Sequence, residues 1–284
     1  MKQESKVVPI RCQIHETAVV HPEARLGVGV IIGPYAVVEK DVEIGDGTVI
    51  GPHAVIGRWT VIGRHNRIGA GAALGGDPQH LGFKGEGCFL RIGDYNVIRE
   101  YASLSRGTEG GRGETRIGNH TMIMAYAHVG HDCVVGDHVV LVNNVALGGH
   151  VVVEDQAVIG GMSGVHQFCR IGRMAMVGAM SKVTKDVLPF TMVDGRPAKA
   201  VGLNVVGLRR NGIPREVRSE LKKAYRALYR SEWNVSQAAS YIEAELVLYP
   251  EIQHLLDFLR KAERGICAAR SDRAEPPTGE EREF

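Results

Sequence analysis

One aliphatic residue recurs at every sixth position over the first two thirds of the chain, usually followed by glycine. The series runs from Ile14 through Val20, Leu26, Ile32, Val38, Ile44, Ile50, Ile56, Ile62 and Ile68 to Leu74. It returns at Ile92, Ile98 and Leu104, slips by one residue, resumes at Ile117 and then holds to Val183. Neither the 3.6-residue helical period nor the two-residue alternation of a hairpin sheet produces such a beat. A six-residue repeat predicts a parallel β-helix.

A second position, four residues after each anchor, is mostly small: Ala36, Thr48, Ala54, Ala72, Ala127, Cys133, Ala157, Ser163 and Ala175 are examples. Strand side chains alternate faces, so this residue and the next anchor both point inward and the one between them points out. Glycine is expected to relax the corner that follows. Three repeats predict one triangular coil, with coils stacked about 4.8 Å apart. Burying an aliphatic side chain contributes roughly 1.5–3 kcal/mol, which explains the restriction to Ile, Val and Leu, and almost no polar residue is expected inside. The repeat does not set the hand of the coil, since right-handed crossovers are the general rule.

Two stretches leave the beat. Residues 75–91 keep phase but abandon the pattern, and 105–116 hold Gly107, Gly110, Gly111 and Gly113. Loops thrown off a rigid solenoid often bind ligands, and the first excursion is assigned that role. The second is taken as a tolerated insertion. The β-helix is thus expected over 14–203, after a lead-in at 1–13.

Beyond Val183 helical periodicity replaces the beat. Pro214 suits a first helical turn, and Val217, Leu221, Ala224 and Leu228 then share a face. Asn234 is a candidate cap for a helix through Leu246, and Pro250 precedes a third carrying Ile252, Leu255, Leu256 and Leu259. An open β-helix end requires a cap, but these helices lie too far beyond Val183 to be given that role. The helical region is set at 204–265 and a charged, Pro-containing, disordered tail at 266–284.

The formal net charge of +2 argues against bulk nucleic-acid binding. No signal-type apolar core opens the chain and no apolar run reaches membrane-spanning length, so an integral membrane protein is not expected. Cys12, Cys133 and Cys169 fall in the small inward slot and are expected to be core thiols, with Cys88 and Cys267 unassigned. Five cysteines without metal-type pairing fit a reducing, cytoplasmic setting.

Candidate chemistry gathers at four histidines. His128, His131, His150 and His166 lie beside the anchors Val129, Leu147 and Val165, which are 18 residues apart and so stack on one edge. None takes an inward slot, so all four are expected to face outward within about 10 Å. His15, His21, His53, His65, His120 and His138 also face outward but are expected to form no column. Asp132 follows His131 directly, and a carboxylate beside an imidazole orients it as a general base. With no serine or cysteine nucleophile motif and no phosphate loop, direct attack by a deprotonated substrate group is the chemistry implied. Gly148-Gly149-His150 can present a backbone N–H to an oxyanion. A competing arrangement, His128, His131 and His150 around zinc, resembles the gamma-class carbonic anhydrases but differs in ligand spacing.

The chain is similar to the UDP-N-acetylglucosamine acyltransferases of lipid A synthesis from about Ile14 to Arg264. The most specific stretches are Ile98-Arg99-Glu100, Arg106-Gly107-Thr108, Ala127 through Cys133, Asn143 through His150, and Ile159 through Phe168. The resemblance implies a homotrimer of left-handed β-helices with active sites between subunits, and no cofactor. It implies transfer of a (R)-3-hydroxyacyl group from acyl carrier protein to the 3-position of the UDP-sugar. His131 is then the base, Asp132 its support and Gly149 the oxyanion donor. His128, His150, His166 and Gln167 line the cleft, and Asn204 and Arg210 contact the nucleotide. Ala179 sits where residue size sets acyl length. Arg209, Lys222, Lys223, Arg226 and Arg230 suit an acidic carrier protein and a pyrophosphate.

Three departures bear on the acceptor. The family's Gln-Asp-Leu-Lys is Gln79-His80-Leu81-Gly82, with Lys84 two residues on; its Asn-x-Glu is Asn204-Val205-Val206; its His before Arg-Gly-Thr is Ser105. A polar recognition site discriminates strongly, so the alternative acceptor is the 3-amino analogue of the sugar nucleotide, giving an amide.

Overall fold

The computed structural model describes residues 12–85 and 87–270. Each beat forms a short strand, most of two residues, and the strands assemble into three sheets of 11, 9 and 8 strands, parallel except for the last strand of the first, that close a three-sided prism. Every third anchor pairs with its counterpart on the next coil. Along one sheet the stack reads Ile14, Ile32, Ile50, Ile68, Ile98, Ile123, Leu141, Ile159 and Val177. The two excursions are absorbed inside single coils, so neither disturbs the register above it. The chain is a left-handed parallel β-helix of hexapeptide repeats followed by helices.

The corners work differently from the sequence expectation. The sharp turn falls three residues after the anchor and is taken by ordinary side chains: Tyr35 at φ 58°, His65 at 54°, Tyr95 at 58°, Asp132 at 60° and His150 at 62°. The glycine that follows the anchor is needed for close approach. A Cβ on Gly45 would lie 2.6 Å from the Gly63 backbone on the next coil. Many of the left-handed residues point outward, and aromatic ones on successive coils stack at the coil spacing. His65, Tyr95, His120 and His138 therefore do form a column, with ring centroids 5.0, 5.1 and 4.9 Å apart.

The interior also carries more polarity than expected. Thr48, Asn66, Asn96 and Thr121 are fully or almost fully buried along one inner corner. Each side-chain oxygen of the first three accepts the backbone N–H of the next in line, at 3.1, 2.9 and 2.7 Å. Such a ladder is tolerated because its donors and acceptors are paired. Cys133 and Cys169 are buried core thiols, and burial pushes them up to about 12 and about 11; Cys88 and Cys267 are buried as well.

The cap is an antiparallel hairpin, Thr191–Gly195 with Ala198–Leu203, laid on the last coil over Leu188 and Phe190. Helices α1 (Val205–Arg210), α2 (Arg215–Tyr229), α3 (Val235–Glu245) and α4 (Pro250–Arg260) follow. Val217, Leu221 and Ala224 of α2 are buried, and Asn234 caps α3 in a capping box with Gln237. The helices attach to the side of the prism. The Arg170 guanidinium lies 3.8 Å from the Phe258 ring of α4, and His254 meets Glu154 at 2.8 Å. Residues 266–270, expected in the tail, return to the prism through bridges from Ile266 to Asp186 and from Ala269 to Ala200. The rest of the tail and nearly all of the lead-in lie outside the described residues.

Candidate active site

On one sheet the outward residues Ser103, His128, Ala146, Gly164 and Lys182 stand in register on successive coils. Ala146 and Gly164 leave a trough between His128 and Lys182, and the following corner raises His131, Gly149 and Gln167 beside it. The result is a cleft of about 490 Å³, closed on its far side by Gln79 and His80 of the first excursion.

His131 sits at the bottom. Its Nδ1 lies 2.7 Å from Oδ2 of Asp132. An ionised carboxylate only accepts, so Nδ1 carries the proton and the Nε2 lone pair is left for the cleft. Asp132 has no exposed surface, and the second excursion surrounds it. Thr108 donates from its backbone N–H at 3.1 Å and its hydroxyl at 2.7 Å, and the Arg112 N–H donates at 2.7 Å. Burial pushes this carboxyl up, but the hydrogen bonds from His131, Thr108 and Arg112 outweigh it and hold the group below the ordinary carboxylate range. A Cβ on Gly111 would come within 2.4 Å of the carboxylate. The segment read as a tolerated insertion is therefore the cradle of Asp132. Sequence spacing missed it because a loop's contacts follow no period.

Gly149 has two consequences. A Cβ there would lie 2.7 Å from both Cε1 and Nε2 of His131, so only glycine lets the imidazole rest on this corner. Its N–H donates to no acceptor among the described residues and remains available. His150 stands behind His131, edge-on at 5.1 Å between centroids, with Nε2 3.8 Å from Asp132 and its ring stacked on Phe168 at 4.5 Å. His128 Nδ1 meets the Ser103 hydroxyl at 2.8 Å. Burial, then repulsion from His131, lowers the pKa of His128; burial likewise lowers that of His150. His166 donates from Nδ1 to the Gln167 carbonyl at 3.0 Å and lines the cleft with Gln167.

The structure thus brings His128, His131, His166, Gln167 and Gly149 to one cleft, with Asp132 and His150 directly behind. Four other expected residues lie elsewhere in the single chain. Lys84 is exposed on the excursion, outside the cleft lining. Ala179 is exposed at a different corner of the prism, and Arg210 is exposed in the last turn of α1. Asn204 is buried, with its amide donating to the Met174 carbonyl and accepting from the Gly207 N–H as the cap of α1. His80, singled out in the sequence as a departure bearing on the acceptor, lines the cleft as well. Ser103 and Lys182 were not foreseen, although both occupy the slot before an anchor, as His128 does, so the column rule could have found them.

The zinc arrangement fails on geometry. Among the described residues, the group close enough to share an ion is His131, Asp132 and His150, within 4.8 Å, and it omits His128. Both Asp132 oxygens are already taken by Thr108, Arg112 and His131, an arrangement that orients an imidazole. A second cavity of about 600 Å³, between the hairpin and α2, is lined by Leu203, Leu208 and the bases Arg215, Arg218, Lys222, Arg226 and Arg230. No helix among the described residues is long and apolar enough to cross a membrane.

Comparison with known proteins gives a consistent answer. A family model described as UDP-N-acetylglucosamine O-acyltransferase, domain 2, matches residues 186–267, and one described as bacterial transferase hexapeptide matches 24–58, 41–76 and 114–149. An acyl-[acyl-carrier-protein]–UDP-N-acetylglucosamine O-acyltransferase of Thiobacillus denitrificans is 50% identical over 253 residues, 89% of this chain and 98% of the relative. The crystal structure of UDP-N-acetylglucosamine O-acyltransferase from Moraxella catarrhalis superposes with a TM-score of 0.87 at 44% identity, covering 89% of this chain and 98% of that one. The corresponding Arabidopsis structure gives 0.77 at 37% identity, with 89% and 99% covered. With identity this high over nearly the whole length of its relatives, and a histidine–aspartate pair seated in a β-helix cleft, the chain belongs to the UDP-N-acetylglucosamine O-acyltransferase family.

Proposed function

We propose that this chain transfers a (R)-3-hydroxyacyl group from acyl carrier protein to the 3-hydroxyl of UDP-N-acetylglucosamine, the opening step of lipid A biosynthesis, with His131 as general base. The observation that carries the reading is the His131–Asp132 pair, 2.7 Å apart, facing the cleft beside an N–H of Gly149 that donates to no acceptor among the described residues.

The chemistry follows from that geometry. Nε2 of His131 takes the proton of the sugar hydroxyl as its oxygen attacks the thioester carbonyl. Asp132 stabilises the imidazolium that forms. The carbonyl oxygen becomes an oxyanion and accepts from the Gly149 N–H. The intermediate then collapses, the C–S bond breaks, and the imidazolium returns the proton to the departing thiolate. His128, His166 and Gln167 bind and orient the reactants. No metal or cofactor is needed for these steps.

Other partners are part of the same proposal. The basic groove beside α2, continued by Arg209 and Lys223, suits an acidic carrier protein. Lys84, Ala179, Asn204 and Arg210 do not reach His131 within one chain. A homotrimer with its clefts between subunits gives such residues a route to the site, with Ala179 limiting acyl length. The enzyme works in the cytoplasm, where acyl carrier protein supplies the thioester.

The test is product analysis with (R)-3-hydroxyacyl carrier protein and either UDP-N-acetylglucosamine or its 3-amino analogue. An ester on the first sugar is expected. An amide formed from the analogue alone would transfer the assignment to that acceptor. Inactivity of folded protein on both would remove acyl transfer altogether.

A further inference from the structure

The first excursion reaches the cleft from a distance, and one side chain outside the cleft chemistry holds it there. Arg106 follows the strand Ser103–Ser105, and its side chain is only 6% exposed. Its guanidinium lies 4.5 Å from the Trp59 ring centroid and 5.2 Å from that of Phe83, and it pairs with Asp77. Phe83 and Asp77 belong to the excursion, while Trp59 belongs to the preceding coil. Nε and Nη1 are buried with no hydrogen-bond partner, so the cation is held by ring faces and one carboxylate. The backbone of the same segment fastens both ends of the loop. Arg106 N–H donates to the Gly76 carbonyl at 3.1 Å, and Gly107 N–H donates to the Phe89 carbonyl at 3.1 Å.

Between those ends lies His80, whose ring approaches His131 edge-on at 5.3 Å between centroids. Its Nδ1 accepts the Gly82 N–H at 3.2 Å, which in the neutral ring places the proton on Nε2. His80 therefore offers the cleft a donor next to the base. We propose that Arg106 is a positioning residue: by clamping Asp77 and Phe83 against Trp59 it seats the excursion so that His80 closes the acceptor side of the cleft. The same segment runs directly into Thr108, so one stretch of chain holds both the wall facing His131 and the carboxylate behind it.

This rests on the cleft being the acyl-transfer site, and the test separates the two claims. Arg106→Ala and His80→Ala should each lower kcat/KM for the sugar nucleotide by about 10–100-fold, the size of effect expected when a supporting contact or a substrate-orienting group is lost. The double variant should lose no more than either single one, because without the clamp His80 is already out of place. Losses that multiply, or an Arg106→Ala variant with unchanged kcat/KM, would overturn the proposal. Phe83→Ala, which alters only the loop side, repeats the cycle if Arg106→Ala does not fold. The ring-to-ring contact is also read without turnover, as the nuclear Overhauser effect between His80 and His131 in labelled full-length protein. It should be present in the wild type and absent in both clamp variants; its persistence in those variants would refute the clamp whatever the enzyme transfers.

Discussion

At the scale of single residues, the site is a set of neighbours that constrain one another. His131 keeps its Nε2 lone pair toward the cleft because Asp132 accepts from Nδ1, and it lies low in the corner because Gly149 has no side chain. Gly149→Ala is expected to push the imidazole off this seat and lower kcat by about 10²-fold, the scale of an ångström-sized misplacement, with little change in melting temperature. Near-normal kcat in that variant would show that the close packing is not required. Much of this was legible in the sequence. His131 and Asp132 are adjacent in the chain, and His128, Gly149 and His166 follow from the beat by counting. His80 was not legible as a neighbour of His131, because a loop of irregular residues fixes its position through Arg106, Phe83 and Trp59. The resemblance gives Asn204 a nucleotide contact, and within the single chain its side chain donates to the Met174 carbonyl and caps α1 through the Gly207 N–H.

At the scale of elements, the prism supplies rigid spacing and the excursions supply chemistry. The strands were readable because burial imposes an aliphatic residue every sixth position. α2 and α3 were readable from a shared apolar face and a capping asparagine. The hairpin at 191–203 was not, since its antiparallel strands carry a two-residue alternation too short to stand out after the six-residue beat stops. The second excursion shows why glycine-rich loops resist interpretation from sequence. Gly111 is required by a carboxylate that lies 21 positions later in the chain. Gly111→Val should displace the loop from Asp132, lowering kcat by about 10²-fold through loss of base orientation. A crystal structure of the variant with the Thr108 and Arg112 bonds intact, or wild-type turnover, would contradict the assignment of this loop as a cradle.

At the scale of the whole molecule, folding and the cleft are linked through protons. His128 and His150 both have pKa values lowered by burial. Below the ordinary histidine value of about 6.5 the unfolded chain binds more protons than the folded one, so stability should fall as pH drops through that window. Asp132, held below its ordinary range, adds stability at neutral pH that is lost as pH falls through its folded value. Urea midpoints measured from pH 7 downward should decline first in the histidine window and again in the carboxylate window. His128→Asn should flatten the first decline, and an unchanged profile in that variant would show that its burial is not coupled to stability. The central claim is that His131 is the base of an acyl transfer. The most direct measurement is kcat/KM of His131→Ala with (R)-3-hydroxyacyl carrier protein and UDP-N-acetylglucosamine, alongside its melting temperature. A loss of about 10²–10⁴-fold with an unchanged melting temperature is expected for removal of a general base. Turnover within a few fold of wild type would contradict it.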